Sequence, residues 1–74
     1  MEYQFNGRRP SEKQVKAKLK EMMKSGWPVV AVTWGENWIE ARKDDRGSYY
    51  GTGWIKGLSG SDIVQSIAGN RYPY

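Results

Sequence analysis

Seven of the twelve cations in this 74-residue chain fall between positions 8 and 24: Arg8, Arg9, Lys13, Lys16, Lys18, Lys20 and Lys24, against only Glu12 and Glu21. From position 27 onward cations and acids balance, so the net charge of +4 arises from one segment. The chemistry of such a cluster is anion binding. Lysine and arginine neutralise phosphates one by one, which gives affinity with little sequence preference and a steep dependence on salt. On a helix, at about 100° per residue, Lys13, Lys16, Lys20 and Lys24 share an arc of about 80°, with Arg8 and Arg9 just ahead of it. The competing account is solubility, because lysine is a good helix former and a surface needs charge.

The second group is aromatic. The segment SYYGTGWIKG, residues 48–57, sets two tyrosines and a tryptophan among three glycines, which raises the question of a phosphate loop. A dinucleotide fingerprint needs G-x-G-x-x-G between a strand and a helix. Here Gly57 comes one position late, and the Gly-Lys-Ser/Thr of a P-loop is absent. Strand alternation accounts for the segment better. Tyr49, Gly51, Gly53 and Ile55 point one way, with the glycines making room for a helix bearing Leu19, Met22 and Met23. Tyr50, Thr52, Trp54 and Lys56 point the other way. In the preceding strand Ile39 and Ala41 go with the helices, which leaves Trp38, Glu40 and Arg42 on the open face. Aromatic and basic side chains on an open sheet are what single-stranded nucleic-acid binders use, at about 1–3 kcal/mol per stacked base. The same rings would also serve as cross-strand packing at about 0.2–1 kcal/mol per pair, covered by the terminal YQF or YPY segment.

Other chemistries are poorly served. The chain has no His and no Cys, which removes the usual general base, the strongest nucleophile, the usual zinc ligands and any disulfide. Asp44 and Asp45 are adjacent in a turn and diverge, Glu36 and Glu40 have little chain around them to build a pocket, and no calcium-loop spacing occurs. The expectation is a non-enzymatic protein without cofactor or metal. No leader-like apolar stretch opens the chain and no run approaches the ~18 apolar residues of a membrane span, so a cytoplasmic protein with no membrane partner is expected. A chain this short buries only about 60% of its unfolded surface. Its four Trp, five Tyr and one Phe are therefore expected to carry the core.

The elements that must position these groups read as follows. A short strand is expected over residues 2–5. Ser11 with Gln14 forms a capping-box pattern, and Val15, Leu19, Met22 and Met23 make one apolar stripe, so a helix is expected over 12–25. Gly26 ends it, Pro28 blocks continuation, and Trp27 is placed to fold back on Met22. Strands are expected over 29–34, 38–43 and 48–56, joined by turns at 35–37 and 44–47. After a loop at 57–60, Ser59 or Ser61 caps a second helix bearing Ile63, Val64, Ile67 and Ala68, ended by Gly69, with residues 70–74 as a tail. Short links favour an antiparallel meander. The expected fold is thus α+β: a two-layer sandwich, helix–three-stranded antiparallel meander–helix, with both helices on one face.

That element order is similar to the double-stranded RNA-binding fold in topology. The lysine cluster that opens the second helix in that family is replaced here by Ser59-Gly60-Ser61-Asp62, so the similarity stops at element order. Two partner classes follow. One is nucleic acid, DNA or RNA, held by Arg8, Arg9, Lys13, Lys16, Lys20, Lys24, Trp38, Arg42, Tyr50, Trp54 and Lys56. The other is a protein partner using the same Trp/Tyr surface and the C-terminal Arg71-Tyr72-Pro73-Tyr74.

Overall fold

The computed structural model describes residues 1–68; the expected Gly69 stop and the 70–74 tail lie outside them. In chain order the elements are β1 (Glu2–Phe5), α1 (Glu12–Lys24), β2 (Val29–Trp34), β3 (Asn37–Lys43), β4 (Tyr49–Ile55), β5 (Leu58–Ser59) and α2 (Gly60–Ala68). The fold is α+β. Among the described residues no helix is long and apolar enough to cross a membrane.

Local chemistry sets the element ends. At α1 the capping box closes in both directions: the Gln14 amide N–H donates to Ser11 Oγ at 3.1 Å, and the Ser11 N–H donates to Gln14 Oε1 at 2.8 Å. Gly26, with φ +79°, turns the chain out of the helix. Between β2 and β3 the loop shortens to Gly35-Glu36, with Gly35 at φ +61°, the position a type II′ hairpin reserves for glycine. The loop between β3 and β4 is organised by Asp44, whose Oδ1 accepts from the Arg46 and Ser48 amides, each at 2.9 Å.

The sheet is five-stranded and mixed, in the order β1-β2-β3-β4-β5. The expected antiparallel run β2-β3-β4 is its centre, but the expected three-stranded sheet is too small. β1 pairs with β2 in parallel, Glu2 opposite Ala31 through Phe5 opposite Trp34, and α1 is the crossover between them. The third expected strand also ends earlier. Lys56 and Gly57 take positive φ and turn the chain into β5, so Lys56 sits on a hairpin tip and not on the strand face.

The core lies between the sheet and both helices. Val15, Leu19 and Met22 of α1 and Ile63 and Val64 of α2 form one cluster with Val30, Val32, Ile39, Ala41 and Ile55. It is wholly aliphatic, against the expectation that aromatics carry it. Phe5, Trp34 and Tyr49 are partly buried and pack against it, while β-branched Val and Ile on the strands supply the close-packed centre. Trp27 is 50% exposed and does not join the core around Met22; its carbonyl instead accepts the Tyr49 hydroxyl at 2.5 Å.

The glycines of β4 have different tasks from the one expected. A Cβ on Gly51 would overlap the Gly60 carbonyl and stand 2.6 Å from Val64 Cγ2, so the helix seated over it is α2, not α1. Gly60 reciprocates, since a Cβ there would overlap the Thr52 carbonyl. Gly53 has φ +92°, and its Cβ would strike the backbone of Trp38 in the neighbouring strand. It permits a local backbone twist and does not seat a helix.

Candidate functional site

Register places the candidate side chains in rows across the sheet. On the side away from the helices, the first row runs Gln4, Thr33, Trp38, Trp54, Ser59, one residue from each strand. The next runs Glu2, Ala31, Glu40, Thr52, and the third Val29, Arg42, Tyr50. The sidedness expected from alternation holds: Trp38 is 49% exposed, Tyr50 50% and Trp54 61%, while Ile39, Ala41 and Ile55 are fully buried. β1 does not cover these rings; it joins the edge of the sheet beside β2.

Among the described residues the one ring pair in contact is Tyr3 with Phe5, edge to face at 4.9 Å between centroids. The cations seated over rings are Lys18 over Tyr3 and Lys43 over Tyr49, at 4.3 and 5.8 Å. Tyr3, Phe5 and Tyr49 fall in register with Val32, Trp34 and Lys43, which alternate to the same side as the core residues, so these contacts are on the helix side. No side-chain hydrogen bond, ring stack or cation over a ring face involves Trp38, Tyr50 or Trp54 among the described residues, although Arg42, directly opposite Tyr50, interacts with it electrostatically.

Charge on this face differs from the expectation. Arg42 shares the face with Tyr50, but its Nε donates to Glu40 Oε1 at 2.9 Å, and that bond and charge push the guanidinium pKa above its ordinary value. With Glu2 in the same row as Glu40, the middle of the face is not basic. The cations collect at one end of it. β1, β2 and β4 all run toward the end marked by Phe5, Trp34 and Ile55, next to the Trp38–Trp54 row. There Arg9 donates from Nη1 to the Lys56 carbonyl at 3.0 Å, and Trp34 Nε1 donates to the Gly7 carbonyl at 3.0 Å. The segment carrying Arg8 and Arg9 is thereby tied to the tip carrying Lys56. All three residues are exposed. Sequence reading listed them but did not bring them together, because no spacing rule links residues 47 positions apart.

The lysine stripe lies on the helix side. Lys13, Lys16 and Lys20 line an open groove of about 620 Å³ between α1 and α2, with Glu12, Ala17, Ser66 and Ile67. Lys24 is exposed in the last turn of α1. Lys16 pairs with Glu12 at 2.8 Å and Lys18 with Glu21 at 3.2 Å; Lys13, Lys20 and Lys24 have no acidic partner among the described residues. No group of three or more His, Cys, Asp or Glu is placed to hold a metal among the described residues. No family model, curated protein or solved structure matches this chain.

Proposed function

We propose that this is a non-enzymatic nucleic-acid-binding protein that takes single strands on its open sheet face. The observation that carries the reading is the half-exposure of Trp38, Tyr50 and Trp54 on the side of the sheet away from the helices, with no ring stacked on them among the described residues. Bases of a single strand stack on such rings, and a backbone needs cations at the edge of the platform. Arg8, Arg9 and Lys56 supply them beside the Trp38–Trp54 row. A duplex keeps its bases stacked inside and offers this face little, so single strands are preferred.

The experiment is a titration of tryptophan fluorescence with single- and double-stranded oligonucleotides at two salt concentrations. Quenching by the single strand, weakened by salt, is the expected result. Trp54→Ala should cost about 1–3 kcal/mol of binding, the value of one stacked base. Absence of quenching at micromolar single strand and low salt would remove the reading.

A second reading, a protein partner on the same face, is favoured by one observation. Glu2 and Glu40 occupy the middle row and the only cation among those rows, Arg42, is already paired. A cluster of Trp, Tyr and Arg is also the composition of a protein hot spot. A titration in which neither form of oligonucleotide binds moves the weight to it.

A further inference from the structure

The reading above leaves the lysine row of α1 on the far side of the sheet with no role. We infer that a long single strand uses both surfaces. It leaves the Trp38–Trp54 row over the rim of Arg8, Arg9 and Lys56 and continues along the groove between α1 and α2, where Lys13, Lys16 and Lys20 meet its phosphates. The inference rests on the proposed use of the sheet face and extends it around the end of the molecule.

Arg9 is the joint. Its guanidinium is fixed on the carbonyl of Lys56, two residues after Trp54, while its backbone stands two residues before the α1 cap Ser11. Lys13 is in the first turn beyond that cap, and Lys16 and Lys20 follow on the same side of the helix, facing α2. At 1.5 Å per residue, Lys13 to Lys20 covers about 10 Å, and Lys24 adds about 6 Å. The cations therefore form a path from the aromatic row, around the sheet end, and down the helix.

The groove selects for a polyanion. Lys13 and Lys20 have no carboxylate partner among the described residues, and Lys16 is only shared with Glu12 across an exposed pair, a contact that a phosphate displaces at little cost. The other polar wall group, Ser66, already donates its hydroxyl proton to the Ile63 carbonyl at 2.9 Å, which leaves recognition to the lysines. Such a surface reads backbone charge and not sequence.

The test is a length series on the full chain. Oligothymidylates of about four and about sixteen residues, the two ends of the site sizes seen for single-strand-binding folds, are titrated at several salt concentrations. Against wild type, the longer strand should bind more tightly and with a salt slope steeper by about 2, because three additional phosphates are neutralised at about 0.7 each. The triple variant Lys13→Glu, Lys16→Glu, Lys20→Glu should lose about tenfold or more on the longer strand and that extra slope, with the shorter strand held within about twofold. The triple Lys→Gln variant, with an unfolding curve matching wild type, should shift in the same direction by less. Equal slopes for both lengths, or equal losses on both in the variants, would overturn the path while leaving the sheet-face reading intact. If neither length binds the wild-type protein, both fall together.

Discussion

The two faces of β3 and β4 are built from the same two segments and have opposite compositions. Toward the helices stand Ile39, Ala41 and Ile55, fully buried, and two glycines; away from them stand Trp38, Tyr50 and Trp54, each about half exposed. A small chain with no disulfide needs apolar burial from every large side chain. Here aliphatic side chains form the core, with Phe5, Trp34 and Tyr49 packed against it, while two tryptophans and a tyrosine of β3 and β4 stand half exposed on the other side. The half-exposed rings bury less apolar area than they could, and that exposed area is what the proposed ligand would contact.

The sharpest way to break that comparison is at neighbouring residues. Ile39→Ala should destabilise by about 3 kcal/mol, since it removes a fully buried branched side chain from between sheet and helices. Trp38→Ala, one residue away, should cost less than about 1 kcal/mol, the value of a cross-strand pair on an open face. Urea unfolding monitored by far-UV circular dichroism checks both. If Trp38→Ala unfolds the protein as readily as Ile39→Ala, the rings are structural and the binding reading loses its basis.

Gly51 sharpens the buried side. Its missing Cβ is the space in which the Gly60 carbonyl and Val64 sit. Gly51→Ala should therefore cost about 2–3 kcal/mol by forcing α2 off the sheet. Thr52→Ala, the next residue and exposed, should stay within about 0.5 kcal/mol. Equal effects at the two positions would show that α2 has room to shift outward.

These contrasts mark where the sequence was legible. The capping box at Ser11 and Gln14, the apolar stripe of α1 and the Gly26 stop are local signals, and each appears at its expected residue. The alternation of β3 and β4 gave the correct sidedness because period-2 patterning is fixed by strand geometry. What was not legible depended on pairing across the chain. The four residues of β1 alternate too little to announce a parallel partner 29 positions away, and its crossover is the helix already assigned. Gly51 announces a close approach but not which helix makes it. Lys56 looks like one more strand residue until β5 pairs back on β4 and makes it a hairpin tip. The candidate site shared this limit: its rings were found by alternation, while its basic rim depends on Arg9 reaching Lys56.

The smallest expected effect compares Tyr49 with what lies beneath the opposite face. Tyr49 and Tyr50 are adjacent, yet Tyr49 turns to the helix side, where its hydroxyl donates to the Trp27 carbonyl at 2.5 Å and lies 3.5 Å from that of Met23. Partial burial pushes its pKa above the ordinary tyrosine value of about 10. The folded state thus keeps this proton to higher pH than the unfolded chain does. The sign follows: the stabilisation is fully present below the unfolded value near 10.0 and is lost as pH rises through the folded one. Tyr49→Phe should cost about 1 kcal/mol at neutral pH, the net worth of a hydrogen bond. The gap between wild type and variant should stay constant up to about pH 10 and close above it. Thermal unfolding of both proteins from about pH 8 to 11 measures this. A gap unchanged across the range would mean that the hydroxyl contributes through packing, so that the helix side gains no more from its tyrosine's polar tip than the open side does from Tyr50.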